Sequence, residues 1–226
     1  MKKIGMVVAM QSEVESFLSA KNLEVTHETK GGFKIMKFLL GKNQVICVQS
    51  GVGEIFASAA TQMLISEHKV DMILNFGVCG SLVDGVGVGS VVLVDGVVHY
   101  DFDTSPIDDV EVGRYIQYPE TVLRPDNRLI DLVIELLPNV ERVVCASADK
   151  FVADEKIKED LAKRYGASIC EMESAGVLLT CLNAGVPCLI IKAVSDGKGG
   201  PEEFKRMVHS SSKQYVELIY KLSETV

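Results

Sequence analysis

The sequence predicts an α/β fold: one domain built on a central, largely buried sheet flanked by helices. Three observations carry this. Short apolar runs alternate with longer helical patterns along the chain. Several of those runs, such as Met72–Phe76 and Leu189-Ile190-Ile191, lack the polar alternation of a half-exposed strand, which marks strands covered on both faces. The length, 226 residues, suits one domain with a core large enough to stand without disulfide or metal.

The elements follow in order. Ile4–Ala9 reads as a strand, and Gln11–Ala20 as a helix with Val14, Phe17 and Leu18 on one face. Glu24–His27, Phe33–Leu40 and Gln44–Val48 read as strands, the middle one alternating as a half-exposed strand does. Ser50-Gly51-Val52-Gly53 turns into an alanine-rich helix reaching about His68. Met72–Phe76 is a strand ending in Gly77-Val78-Cys79-Gly80, and Ser90–Val94, Arg142–Ala146 and Val186–Val194 complete the strand set. Helices are predicted over Asn127–Leu137, Asp154–Arg164, Glu171–Asn183 and Glu202–Ser223. Asp103 to Asp126, with three of the six prolines, is the longest irregular stretch, a kind of segment that tends to be functional.

Composition narrows the function. With 23 basic and 31 acidic side chains the net charge is −8, which argues against a nucleic-acid binder. The six cysteines sit in apolar runs without C-x-x-C spacing and read as small buried hydrophobes. No cleavable leader is expected, since Glu13 and Glu15 follow the short apolar start at once. The uncharged run Ser174–Ile191 raises a membrane question, but Asn183-Ala184-Gly185-Val186-Pro187 breaks it into a buried helix and a buried strand. A cytoplasmic protein without membrane partners is expected. Histidines, cysteines and acids show no ligand spacing, so neither metal nor other cofactor is expected.

Chemistry is sought beyond the carboxyl ends of strands, where α/β sheets collect ligands. Those ends carry Met10-Gln11-Ser12-Glu13, Gly77-Val78-Cys79-Gly80-Ser81, Ser147-Ala148-Asp149-Lys150-Phe151-Val152 and Ser195-Asp196-Gly197-Lys198. A fifth segment, Cys170-Glu171-Met172-Glu173-Ser174, puts two acids at the start of an apolar helix. Each has a bland alternative. Glu13 could be a solvated residue favoured by the helix dipole, Asp196 a plain helix cap and His99 an ordinary loop histidine. If Glu171 faces water, Glu173 turns toward the apolar flank, where a carboxylate is costly unless paired or used.

Together the segments resemble the nucleoside phosphorylase/nucleosidase superfamily, and most closely its 5′-methylthioadenosine/S-adenosylhomocysteine nucleosidases. The resemblance rests on Ile4-Gly5-Met6-Val7-Val8-Ala9-Met10 with Glu13-Val14, on Ser50-Gly51-Val52-Gly53 and on Asn75-Phe76-Gly77-Val78-Cys79-Gly80. It continues through Ser147–Val152, Glu171-Met172-Glu173-Ser174 and Ala193-Val194-Ser195-Asp196. It implies a mixed, twisted sheet and hydrolysis of the bond between adenine N9 and ribose C1′. Asp196 then matches the general acid that protonates adenine N7, Glu13 the base that activates water, and Glu173 the ribose-binding acid. Met172 would pack under the sugar, Phe151 stack on the base, and the Val152 backbone read its edge. Met10 and Val52 fall where the family builds its apolar pocket. Val78, Cys79, Gly80, Glu171, Lys192, Ser195 and Phe204 complete the implied substrate-binding set. A homodimer is implied, because in related enzymes a neighbouring subunit completes the 5′ end of the site.

Two departures matter. Val78 stands where these hydrolases commonly have serine and Lys192 where they commonly have arginine, both of which normally help hold the water and Glu13. A phosphorylase of the same fold is the first alternative. Phosphorolysis favours an arginine-rich anion site, yet Asn75 occupies the position where the superfamily's phosphorylases place an arginine. A catalytically weak nucleoside-binding domain is the second, and retention of Glu13, Glu173 and Asp196 speaks against it.

Overall fold

The computed structural model describes residues 1–20 and 23–226. Its sheet has nine strands among the described residues: β1 (Lys3–Val8), β2 (Thr26–Lys30), β3 (Phe33–Leu40), β4 (Asn43–Gln49), β5 (Met72–Ser81), β6 (Val91–His99), β7 (Glu141–Ser147), β8 (Ala167–Glu171) and β9 (Cys188–Asp196). The helices are α1 (Gln11–Ser19), α2 (Glu54–Met63), α3 (Ser105–Asp108), α4 (Asn127–Leu136), α5 (Glu155–Tyr165), α6 (Ser174–Ala184), α7 (Gly200–Ser211) and α8 (Val216–Thr225). A π-helical segment over Leu64–His68 continues α2.

Side chains alternate across the central strands, so the sheet carries two cores. Val7, Ile46, Val48 and Ile73 point to the face covered by α2 and α6. Met6, Val8, Leu74 and Phe76 point to the other, where Phe17 packs its ring 5.0 Å from Tyr220 and 5.8 Å from Phe38. This is why β1, β5 and β9 read as continuous apolar runs.

The strand order is β2-β3-β4-β1-β5-β8-β7-β6-β9, and β9 also pairs with β5. That extra pairing closes β5, β8, β7, β6 and β9 into a ring, while β1 to β4 extend from it as an open wing. One strand, β5, serves both parts. Its first half lies beside β1 in parallel, and its last residues, Gly80 and Ser81, turn to β8 antiparallel. A bulge between Cys79 and Gly80 shifts the register so that Gly80 lies opposite Asp196 of β9. Bulges add twist and re-aim side chains.

The mixed, helix-flanked sheet matches the sequence expectation, with local corrections. Gly77–Gly80 continues β5 instead of following it, and Asp196 ends β9 instead of capping a helix. His99 ends β6 and is no free loop residue: its Nδ1 meets the Tyr115 hydroxyl at 2.7 Å and its Nε2 meets Asp101 at 3.0 Å. Glu171 belongs to a strand, β8, that the pattern did not reveal, and the helix after it starts at Ser174. The long C-terminal helix is two helices, separated by a turn that drives Tyr215 fully into the core. At the break Ser212 Oγ donates back to Val208 O at 2.7 Å, a local bond that competes with the helix, while Ser211 Oγ ties the end of α7 to β9 through Val194 O at 2.9 Å. The uncharged run resolves into α6 and the start of β9, and among the described residues no helix is long and apolar enough to cross a membrane.

Asn43, fully buried, ties the wing to the C-terminus. Its Nδ2 donates to Ser223 O at 2.8 Å and its Oδ1 accepts from Lys2 N at 2.9 Å. Asn43→Ala leaves both backbone groups short of a partner, so unfolding in urea is expected to lose about 1–3 kcal/mol.

Candidate active site

The ends of β1, β5, β8 and β9 surround one cavity of about 280 Å³. Met10, Glu13, Val52, Val78, Cys79, Gly80, Phe151, Val152, Glu171, Met172, Glu173, Ser195, Asp196 and Phe204 all line it, as do Ala9, Lys150 and Cys170. Segments separated by almost the whole chain thus meet in one place. Of the implied catalytic and substrate-binding residues, Lys192 alone is not on the wall. It lies behind it, 1% exposed, with Nζ 2.8 Å from Glu171 Oε2.

Glu13 sits at the first turn of α1, yet it is 3% exposed and faces inward, which removes the solvated alternative. Its Oε2 accepts from the backbone N–H of Ala9 at 3.0 Å and Met10 at 2.8 Å, and its Oε1 from Val78 at 3.0 Å. Burial pushes its pKa above the usual carboxylate range, against the pull of these amides and of Lys192. Gly77 leaves the room: a Cβ there would stand 2.5 Å from Glu13 Oε1.

Asp196 is held from its neighbour in sequence. Ser195 Oγ lies 2.8 Å from its Oδ1, while Oδ2 faces the Cβ-free side of Gly80. Burial raises the Asp196 pKa to about 6, opposed by the Ser195 hydrogen bond. The group therefore exchanges its proton close to neutrality.

Glu171 and Glu173 are both buried, so neither is the water-facing member of the pair. Burial works against the charge on Glu171, but the Lys192 ammonium together with hydrogen bonds from Ser147 and the Ser174 N–H holds the carboxyl below its usual range. Glu171 also accepts from the backbone N–H of Glu173 at 3.1 Å and of Ser174 at 3.0 Å, capping α6. Glu173 accepts from Gly53 N at 3.0 Å, and burial, then the charge of Glu171, raises its pKa to about 8.

A third acid in this group escaped the sequence reading. Glu54, at the start of α2, is buried and accepts from Ser147 Oγ at 2.5 Å and from Gly176 N. Burial and Glu171 raise its pKa to about 8. Its one signal was its place directly after Ser50-Gly51-Val52-Gly53, where an acid normally reads as a solvated helix start. Asn75 likewise proves structural, its Nδ2 donating to Val7 O at 3.0 Å.

At the mouth, Phe151 meets Phe204 edge to face with centroids 5.7 Å apart, and Phe151 and Val52 remain substantially exposed. Among the described residues, no group of three or more His, Cys, Asp or Glu side chains is placed to hold a metal ion. The arrangement thus offers an apolar cavity with two aromatic rings at its mouth, a carboxyl whose pKa burial raises to about 6, and a buried carboxyl held by three amides.

Fold and site together define a class, and the sequence comparison agrees: the chain belongs to the phosphorylase superfamily, whose family model matches residues 3–226. Among individual proteins it is similar to the 5′-methylthioadenosine/S-adenosylhomocysteine nucleosidase of Shewanella loihica, 30% identical over 86% of this chain and 86% of that one. Among solved structures it is similar to the Neisseria meningitidis nucleosidase of the same description, in complex with methylthio-immucillin-A. That likeness has a TM-score of 0.92 at 25% identity and covers 100% of both chains. The futalosine hydrolase of Helicobacter pylori matches with a TM-score of 0.94 at 25% identity, over 100% of this chain and 98% of that one.

Gly77→Ala is expected to cost about 1–3 kcal/mol of stability, because Glu13 cannot yield without losing its amide donors. In a Glu13→Ala background the same change should cost much less, and the four chemical-denaturation curves of this double-mutant cycle measure the coupling.

Proposed function

We propose that this chain is a nucleosidase that hydrolyses the N-glycosidic bond of 5′-methylthioadenosine and S-adenosylhomocysteine, giving adenine and the free sugar. The observation that carries the reading is the pair of acids in one cavity with different environments: Asp196, whose pKa lies near 6, and Glu13, held by three backbone N–H donors. Glycoside cleavage needs such a pair, one to neutralise the leaving group and one to activate water.

In this reading Asp196 donates its proton to adenine N7 and then accepts from the 6-amino group, the two-point edge that a carboxyl complements. Phe151 stacks on the base with Phe204 packed edge-on against it, and the Val152 backbone reads the base's edge. Glu173 accepts from the ribose hydroxyls, Met172 packs beneath the sugar, and Met10 and Val52 line the apolar 5′ side. Glu13 takes the proton from the attacking water as the C1′–N9 bond breaks. Its raised pKa makes it a stronger base than an exposed glutamate.

Water is favoured over phosphate by the charges present. Among the described residues no arginine lines the cavity; Lys150 on its wall is exposed to solvent, and the buried cation behind the wall, Lys192, is committed to Glu171. A phosphate dianion would meet the buried Glu13 without a guanidinium to hold it. Lys192 thus acts on substrate through Glu171 and Glu173.

The 5′ end is completed by a second copy of the chain. Val52, Ile55 and Phe56 are 49%, 76% and 57% exposed where α2 begins beside the mouth, an apolar face suited to a homodimer contact. The cytoplasm is the proposed compartment, in keeping with six buried free thiols.

Incubation with 5′-methylthioadenosine, with and without phosphate, tests the reading by chromatography. Adenine and methylthioribose at equal rates in both are expected; a sugar 1-phosphate formed only with phosphate would make the protein a phosphorylase. Asp196→Asn should lower kcat by about 10²–10⁴ while substrate affinity changes little. Because Asp196 must carry its proton to donate it, kcat/KM should fall as pH rises through about 6, and fall again at low pH as Glu13 becomes protonated. A profile flat from pH 5 to 8 would remove Asp196 from the role.

A further inference from the structure

Directly after Asp196 the chain leaves the sheet, and the peptide that follows is gripped from both sides. Lys158 of α5 is only 2% exposed, and its Nζ donates to Gly197 O at 2.5 Å and to Glu155 Oε1 at 2.8 Å. On the other side Glu203 of α7 accepts from Gly197 N at 2.8 Å and from Gly199 N at 3.2 Å through a single oxygen, Oε2. A buried lysine is rare unless its charge is used. Here its acid partner, Glu155, is half exposed, and its other partner is a neutral carbonyl next to Asp196.

We propose that Lys158 and Glu203 are positioning residues for the reaction, clamping Gly197 from opposite sides so that the Asp196 carboxyl stays aimed into the cavity. The inference rests on the reading of Asp196 as general acid. The clamp has a second effect, because Phe204 follows Glu203 in α7, lines the same cavity and packs edge-on against Phe151. Fixing Glu203 therefore sets both the acid and the ring that backs Phe151.

The groups facing Asp196 come from every element around it. Ser195 adjoins it on β9, Lys158 lies on α5 and Glu203 on α7, and the thiols of Cys79 on β5 and Cys170 on β8 complete the set. The thiols stay neutral, since burial pushes both above their usual range. Arg206 reaches Glu203 only at 3.7 Å, and the Lys198–Asp84 pair is exposed. Lys158 and Glu203 are thus the two charges that act on the acid, with opposite signs. Lys158 favours its ionised form and Glu203 its protonated form.

The test is the pH profile of kcat/KM for adenine release from 5′-methylthioadenosine, in wild type, Lys158→Met, Lys158→Arg and Glu203→Gln, with thermal melts of each. Lys158→Met should move the high-pH limb upward and Glu203→Gln downward, each by at least ~0.3 pH unit. Lys158→Arg, which keeps the charge, should leave the limb in place. Both substitutions should lower kcat, and Glu203→Gln should also raise KM through Phe204. Limbs that stay put, or that shift in the same direction, in folded variants overturn the clamp while leaving Asp196 as the acid. If Lys158→Met does not fold, the direction of the Glu203→Gln shift decides. A wild type without a high-pH limb, together with an Asp196→Asn variant that still turns over, overturns the acid assignment and the clamp with it.

Discussion

The ion pair between Lys192 and Glu171 is the interaction around which the rest of the site is arranged. Both partners are buried, and burying either charge alone would cost several kcal/mol. What makes the pair tolerable is that Glu171 is also saturated by backbone donors from Glu173 and Ser174. Those donors are orphan N–H groups at the start of α6, so the same carboxylate neutralises a lysine and caps a helix. The geometry then propagates. With its own N–H fixed by Glu171, Glu173 is set to meet Gly53, which ties the start of α2 to the start of α6. Lys192 also eases the ionisation of Glu13 and Glu173, which burial resists.

Closure of the sheet explains how acids so far apart in sequence share one cavity. An open parallel sheet would put the ends of β1, β5 and β9 in a row. Here the β5–β9 pairing and the turn of Gly80 and Ser81 toward β8 bend that row into a bowl. Glycine is required at the points of closest approach. Gly77 lies under Glu13, and a Cβ at Gly176 would strike Glu54 O and Ser58 Oγ, both at 2.5 Å. These are steric requirements, set by an acid side chain at Gly77 and by the close approach of α2 at Gly176, and backbone strain has no part in them.

Much of this was legible in the sequence because apolar runs report burial directly. β1, β5 and β9 were visible for that reason, and so were the acids at their ends. What was not legible depends on partners distant in the chain. β8 is a five-residue strand, Ala-Ser-Ile-Cys-Glu, weak in β-branched residues and held by β7 and β5 on its two sides. The break before α8 is invisible in the helical pattern and follows from the depth to which Tyr215 inserts, its hydroxyl donating to Glu13 O at 3.1 Å. Glu54 and Lys158 read as ordinary surface charges on helices, and only packing shows them buried. Position relative to the motifs marked Lys192, but only the fold shows that it meets Glu171 behind the cavity wall.

The division of labour proposed for Glu13 and Asp196 follows from the donors around them, since burial raises the pKa of both. Glu13 accepts three backbone N–H groups with Lys192 nearby, and each such donor favours the ionised form. Amides cannot reverse their hydrogen bonds, so a protonated Glu13 would have to give up at least one of them. Asp196 accepts from one hydroxyl, and a hydroxyl can rotate to accept instead; Ser195 Oγ has Cys79 O at 3.2 Å as a second partner. Asp196 can therefore gain and lose its proton without leaving a buried amide unsatisfied. Fixed donors select the base and an adaptable donor permits the acid, so exchanging the two duties would require moving the backbone of β1 and β5.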